Sequence, residues 1–592
     1  MKLIVVVITF TVFGGFLLTS CGGSNGTSLN ASEPEITSQD RQLEIVAFEG
    51  ICCDDLPGFD QRSQLYTFNR LGETKSLSPE GDSESVIRSA VSPNGESIAY
   101  VYETLDSSRG LNILDTRSGD TLFTAPLATG SFIPQMAWLP DSTGLILLDQ
   151  TLRDRIGRIY RAILDEQTLI ELDTNVHSFA ISQAGGLLAV MSRTLDDSQP
   201  IRLPVAAELA LFNLNDGNAR MQLDVTGEGS NDFRYAWSPF AEELIYQIRD
   251  LKPGYGYIPG NDAASPLWLW QPEAGLQELL PTRQDYPSPF VHYVWLRTDR
   301  FLFYSWEKPS FIIIERDGSQ FFEGQIAQGS IVAPSPDYTK LAYLAYPGER
   351  RRRPQVYVRD LETGDITDAG PASVLTLLGG APEPSVLRWS DDSSKLAWNR
   401  EINSRASTLG ELYVFDSEQG ISQLISASAV HRILEGYGGL RSLFGEEEGN
   451  FSWLPGQNRL DYVRFAENGA ELVVTDLDSG DTQVVGQVAS ALNGDCPYAR
   501  AWRTDEEVLW SRCEGGLYYS NLGLVADTSA HQLLTKPLFS IDLTNNREYG
   551  LLRSGTSGEL EYWYTYDFVE GELLRVEPPL PSQQPWRLLP LQ

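Results

Sequence analysis

The sequence predicts an all-β fold, a β-propeller assembled from about eleven four-stranded, blade-like repeats. Three observations carry this. A turn of the form Ser92-Pro93-Asn94-Gly95 returns along the chain, as Leu139-Pro140-Asp141, Ser238-Pro239, Ser335-Pro336-Asp337, Ser390-Asp391-Asp392 and Leu454-Pro455-Gly456. Each copy leads into a short apolar run, such as Ile98-Ala99-Tyr100-Val101 or Leu145-Ile146-Leu147-Leu148. Six of the thirteen tryptophans, Trp138, Trp237, Trp295, Trp389, Trp453 and Trp502, occupy one place in the unit, just before the turn.

Each observation has a physical content. Pro fixes φ at the first corner of the turn, and Asn or Gly tolerates the positive φ that a tight reversal needs. An apolar run of four residues is too short for a helix and reads as a buried strand. A second hairpin follows, Asp115-Thr116-Arg117-Ser118-Gly119-Asp120, with relatives at Asp360-Leu361-Glu362-Thr363-Gly364-Asp365 and Asp476-Leu477-Asp478-Ser479-Gly480-Asp481. One unit therefore holds four strands over about fifty residues, the size of a propeller blade. Weaker copies begin near Ala180, Val294 and Ser540.

The Ser-Pro-Asp/Asn-Gly turn before an apolar strand, with the later Asp-x-x-Ser/Thr-Gly-Asp hairpin, resembles the WD40-like propeller repeat of the TolB-like family. The propeller domains of prolyl-oligopeptidase-type peptidases look similar. The resemblance runs from about residue 44 to the end of the chain and implies a fold rather than an activity, because propellers host many functions.

In chain order, Met1 to Cys21 carries one early lysine, Lys2, then an apolar stretch from Leu3 to Leu18. Its ending, Leu18-Thr19-Ser20-Cys21, resembles a bacterial lipoprotein signal with its lipobox, which makes residues 1–21 a signal peptide and Cys21 the acylated residue. Gly22 follows where that resemblance places Asp in lipoproteins held at the inner membrane. The expected address is the outer membrane of a host with two membranes. Residues 22–43, rich in Gly, Ser, Asn and Thr, read as a tether of about 25 Å root-mean-square reach.

Glu44 to Phe48, Gln64 to Phe68 and Thr74 to Leu77 read as the second, third and fourth strands of the first blade. The missing first strand is expected from Pro585 to Leu589, which closes the ring and removes an exposed edge. About eleven units exceed the four to eight blades of most single propellers. Two rings in tandem, residues 44–330 and 331–592, are the expected partition, with one large ring as the alternative.

Charge and cysteines narrow the function. The formal charge is −35 with four histidines, which excludes nucleic acid, whose phosphates demand a basic surface. Acidity also leaves membrane attachment to the lipid. Of five cysteines, Cys496 and Cys513 flank the hairpin around Asp505 and are expected to form a cross-strand disulfide. The adjacent Cys52 and Cys53 leave a vicinal disulfide, free thiols or metal binding open.

Loops joining first to second and third to fourth strands share one face of a propeller, and here they are short turns. The opposite face is expected to hold all the length variation and hence the binding site. Its candidates are Tyr255 and Tyr257, set between glycines for stacking on a sugar or peptide, and the cationic run Arg350, Arg351, Arg352 and Arg353. Neighbouring-blade packing and plain solvation are the competing readings of these two features. Asp476, Asp478 and Asp481 imitate calcium spacing but lack the full loop and its terminal Glu, so a hairpin explains them better. Within the repeats there is no Gly-x-Ser-x-Gly elbow and no His-Glu-x-x-His, and no cofactor is called for. The sequence thus points to a non-enzymatic envelope protein that binds a protein, peptide or glycan. A hydrolase or lyase acting on envelope carbohydrate or peptide is the alternative.

Overall fold

The computed structural model describes residues 46–589 apart from several connections, the longer of which are 51–64, 196–203, 252–266, 281–291, 374–386, 402–408, 431–450, 491–498, 523–530, 555–561 and 576–585. The described elements are all strands, and they divide into eleven four-stranded antiparallel blades of a β-propeller fold. Blade 1 starts at Val46, blade 2 at Glu84, blade 3 at Phe132, and blade 4 within the long strand Thr168–Ile181. Blades 5 to 11 start at Ser230, His292, Val332, Leu387, Phe451, Arg500 and Leu538. The inner strand of blade 1 comes from the far end of the chain: Trp586–Leu589 pairs with Val46–Gly50, Phe48 opposite Leu588.

Why the second strands are apolar throughout is visible in blade 3. Gly144–Gln150 is buried at every position. Leu145 and Leu147 pack toward blade 2, while Ile146 and Leu148 pack toward blade 4. Successive side chains point to opposite faces, so a strand sandwiched between two blades needs apolar residues at both parities. The same division appears at Ile98 and Tyr100 against Ala99 and Val101. Fourth strands face solvent on one side and alternate instead: Thr121–Leu127 buries only Phe123, Ala125 and Leu127.

Consecutive blades are joined by one shared core after another. The core crosses residue 330 in the same way, since Leu302, Phe311 and Ile326 of blade 6 pack with Leu341 and Tyr343 of blade 7. Two joints are tighter still. Thr168–Ile181 is the outer strand of blade 3 and then the inner strand of blade 4. Blade 8 reaches blade 9 through the bridge between Ala429 and Arg464.

The recurrent tryptophan is an inter-blade staple. The indole N–H of Trp138 donates to Ala90 O at 3.0 Å, and that of Trp237 to Ala180 O at 2.9 Å. Trp389 donates to Ala333 O and Trp453 to Arg388 O, each at 3.0 Å. In every case the acceptor lies on the inner strand of the preceding blade. Trp295 fills its place at 5% exposure, but its N–H has no partner among the described residues. Replacing Trp389 by Phe should therefore cost about 1 kcal/mol more than replacing Trp295 by Phe, because both lose ring volume and only the first loses a hydrogen bond. Urea unfolding of the two variants measures the difference, and equal losses would show that the staple contributes nothing beyond packing.

Candidate functional site

The two ends of the blades are built from different chemistry. At the short-turn end, Ser92 Oγ accepts the Ser97 N–H at 2.9 Å and donates to Asn94 Oδ1 at 2.7 Å. Ser335 with Asp337, and Ser390 with Asp392, repeat the arrangement, each Ser–Asp bond being 2.6 Å. The left-handed corner is Gly95 in blade 2 but Ser142, Tyr338 and Ser393 in blades 3, 7 and 8. Two of those serines link neighbours: Ser142 Oγ accepts the Asn94 N–H at 3.2 Å, and Ser393 Oγ accepts the Asp337 N–H at 3.0 Å.

Third-to-fourth hairpins are capped by their leading Asp. Asp360 Oδ1 accepts from the Glu362 and Thr363 N–H groups, both at 2.8 Å. Asp476 accepts from Asp478 and Ser479 at 3.0 and 2.9 Å, which is the hairpin role expected of that triplet. Burial alone would raise the Asp360 and Asp392 carboxyls, but these bonds hold both below the ordinary value. Backbone bonds place the two turn types at one end, as in Thr116 N–H to Glu96 O at 3.0 Å and Leu361 N–H to Thr339 O at 2.8 Å. Length variation is not confined to the other end, however. In blade 10 the third strand ends at Asn521 and the fourth begins at His531, so one long connection lies among the short turns.

A cleft of about 490 Å³ opens at this same end, between the inner strands of blades 7, 8 and 9. Its walls include Pro334, Tyr338, Arg388, Trp389, Asp391 and Trp453. Trp389 and Trp453 are fixed by their bonds to the preceding strands. Blade 7 carries Pro334 at the tryptophan place, so the row of indoles stops there and leaves space. Tyr338 packs edge-on against Phe240 of blade 5 at 5.6 Å, and Phe240 is 42% exposed. Its lining sets the two indoles and Tyr338 beside the polar Ser335, Arg388, Asp391 and Ser452.

No binding candidate singled out by the sequence is among the described lining of this cleft. Tyr255, Tyr257, Arg350, Arg351, Arg352 and Arg353 fall outside the described residues, as do Cys21, Cys52, Cys53, Cys496 and Cys513. The ladder nearest the last pair is clear: Ala499 N–H donates to Ser511 Oγ at 2.8 Å, and Ser511 N–H to Ala499 O at 2.9 Å. Cys496 and Cys513 stand three and two positions beyond that pair in sequence. Of the histidines, His177 Nδ1 sits 2.9 Å from Arg155 O and 3.2 Å from Arg193 Nη1. No group of three His, Cys, Asp or Glu side chains among the described residues is placed to hold a metal ion.

One functional-looking cluster escaped the sequence reading. Asp461, fully buried in blade 9, takes Arg500 Nε at 2.5 Å and Nη2 at 2.9 Å, Ser452 Oγ at 2.7 Å and the Trp502 indole at 2.5 Å. Ser452 is opposite Asp461 in the ladder, where blades 2, 7 and 8 place alanine: Ala99, Ala342 and Ala397. The signal was an acidic residue inside an apolar run, Leu460-Asp461-Tyr462-Val463. Every lone pair is engaged, so the cluster joins blade 9 to blade 10 rather than awaiting a ligand. Asp461→Ala should cost about 3–5 kcal/mol, because Arg500 is left buried and uncompensated. A loss below about 1 kcal/mol in denaturant unfolding would remove that account.

No family model matches the chain, and no curated protein matches it. Solved structures are similar at low identity. Dipeptidyl peptidase 4 of Porphyromonas gingivalis is 12% identical, with 70% of this chain and 62% of that chain covered and a TM-score of 0.35. The β-propeller domain of the trilobed protease from Pyrococcus furiosus is 10% identical over 59% of this chain and 97% of its own, with a TM-score of 0.27. Oligogalacturonate lyase of Vibrio parahaemolyticus is 10% identical over 61% and 96%, with a TM-score of 0.28. This chain thus spans under two thirds of the peptidase. The propeller assignment rests on the strand ladders themselves.

Proposed function

We propose that the chain is a lipid-anchored, TolB-like propeller of the bacterial cell envelope that binds a protein, peptide or glycan partner and performs no chemistry of its own. The supporting observation is the division between the two ends of the blades. At the short-turn end, serine and aspartate side chains are spent in capping reversals, blade after blade. The opposite end joins strands of fixed register through connections as different as residues 467–468 and 252–266. Such connections vary without disturbing the cores, which makes them the natural carriers of specificity. Tyr255, Tyr257 and Arg350 to Arg353 belong to them by sequence, with the arginines suited to an acidic partner.

A second reading is favoured by a specific observation, the cleft between blades 7 and 9. The two readings separate in one capture experiment on crosslinked cells with tagged protein. Alanine at Arg350 to Arg353, or at Tyr255 with Tyr257, should lower recovery of the partner at least about tenfold, a loss of about 1.4 kcal/mol. Alanine at Arg388 with Asp391 should leave it unchanged. The reverse pattern moves the site to the cleft. Turnover of envelope oligosaccharides or peptides by the purified chain would replace the binding reading with the hydrolase or lyase alternative.

Two further expectations concern export. Cys21→Ser should abolish acyl labelling and release the protein from membranes, and a labelled, membrane-bound variant would sink the anchor. Peptide mass spectrometry without reduction should find Cys496 joined to Cys513, and free thiols at both in exported protein would refute the pairing.

A further inference from the structure

The blades repeat closely enough that a departure from the repeat is itself an observation, and three departures meet in one place. The ladder sets Pro334 opposite Leu341, the register at which Trp389 faces Leu396 and Trp453 faces Leu460. One residue before the tryptophan place, Arg388 pairs with Ala397, where blades 3, 5 and 7 carry Ala137, Ala236 and Ala333. Two residues after it, Asp391 takes the corner that Pro140, Pro239 and Pro336 occupy in those blades. Pro334, Arg388 and Asp391 all line the cleft between blades 7, 8 and 9.

The turn that carries Asp391 makes no use of it. Ser390 Oγ donates to Asp392 Oδ1 at 2.6 Å, and the Ser394 N–H and hydroxyl go to the same oxygen at 3.0 and 2.8 Å. Asp391 is left exposed on the cleft wall. Arg388 gives its carbonyl to the Trp453 indole, and its guanidinium lies 5.9 Å from the Phe451 ring. A guanidinium carries five N–H donors in one plane, enough to serve the blade and a ligand together. The aromatic walls are held in advance. Trp389, 8% exposed, is tied to Ala333 O, and the half-buried Trp453 to Arg388 O. Tyr338, also half-buried, stands on the blade 7 side.

This lining selects among ligand classes. Arg388 and Asp391 carry opposite charges, so an anion or a cation meets a like charge in either case. A wholly apolar ligand would strip water from both and return no hydrogen bond. A neutral ring edged with hydroxyls suits all the walls. Its C–H faces cover aromatic rings, while its hydroxyls donate to a carboxylate and accept from a guanidinium, both charge-assisted bonds.

We propose that the cleft binds a neutral saccharide of one or two rings, with ring faces against Trp453 and Tyr338 and hydroxyls bonded to Asp391 and Arg388. Its volume of about 490 Å³ falls within the range of small-ligand sites, about 300–1,000 Å³. The inference rests on the second reading above, that the cleft is a site, and owes nothing to the long connections. Partner capture is read on other residues, Tyr255, Tyr257 and the arginine run, so a failure of sugar binding leaves the capture result standing.

The test titrates the full mature chain with cellobiose, maltose and chitobiose by calorimetry, and saturation-transfer NMR reads which sugar protons face aromatic rings. At least one of the three should bind, with its ring C–H protons the most strongly saturated. Asp391→Pro restores the residue that other turns use. Tyr338→Asn suits the left-handed corner, where φ is 56°. Both variants should therefore unfold at the wild-type temperature, and each should weaken binding at least about tenfold. Pro334→Trp should abolish binding by filling the gap in the row of indoles. Wild-type affinity in the first two variants overturns the site, and if either misfolds, wild-type affinity in Pro334→Trp does so. Absence of binding by all three sugars overturns the ligand class. Glucuronate, glucosamine or phenylalanine binding as tightly as the best neutral sugar overturns it too, by showing that charge rather than a neutral ring is recognised.

Discussion

No blade of this propeller can bury its own surface. The second strand of blade 3 is apolar on both faces, with Leu145 and Leu147 turned one way and Ile146 and Leu148 the other. An isolated four-stranded sheet of that composition would leave one apolar face in water, at about 25 cal/mol for each Å² exposed. A blade of this kind therefore depends on its neighbours in the chain, and the terminal edges need a partner of their own. Trp586–Leu589 beside Val46–Gly50 supplies one, and it turns two terminal edges into one paired ladder.

Burial by itself is non-directional, and sheets stacked by it would slide. The indoles supply direction. A donor fixed on one inner strand and a carbonyl fixed on the preceding one set how far successive blades are displaced along their strands. Blade 10 meets the same need differently, since its Trp502 reaches the carboxylate of Asp461 instead of a backbone oxygen. The substitution binds two blades more firmly, but it makes the joint depend on Arg500 staying in place.

What the sequence made legible follows from which interactions are local. Turns and hairpins are written in four to six consecutive residues, so Ser92 to Gly95 and Asp360 to Asp365 could be read directly, and with them the strand order inside each blade. The tryptophan places were visible as a repeat, but not their acceptors, because Ala333 precedes Trp389 by a whole blade. The shared strand Thr168–Ile181 was hidden for another reason: it joins two blades without a chain reversal, only Asn175 turning left-handed within it, and the sequence reading relied on reversals. The cleft was hidden because it arises from an omission, Pro334 where other blades carry an indole. The candidate residues on the long connections lie where repeats say least, since nothing periodic constrains them.

Two buried carboxylates show how one fold position can serve opposite ends. Asp461 and Asp149 both sit on second strands, both face a neighbouring blade, and both lie near a guanidinium. Around Asp461 the partners come from two strands, Phe451–Trp453 and Arg500–Trp502, and Arg500, Ser452 and Trp502 satisfy both oxygens. A buried ion pair completed in this way resists change, because removing either partner strands the other charge. Around Asp149, Arg109 has turned its Nη2 to Glu103, and its Nε and Nη1 have no hydrogen-bond partner among the described residues. Burial raises the Asp149 carboxyl to about 6, and the pull of Arg109 and Arg158 offsets this only in part. An interface that had only to hold blades together would be more stable with an apolar residue there, as Leu147 is two positions earlier on the same face.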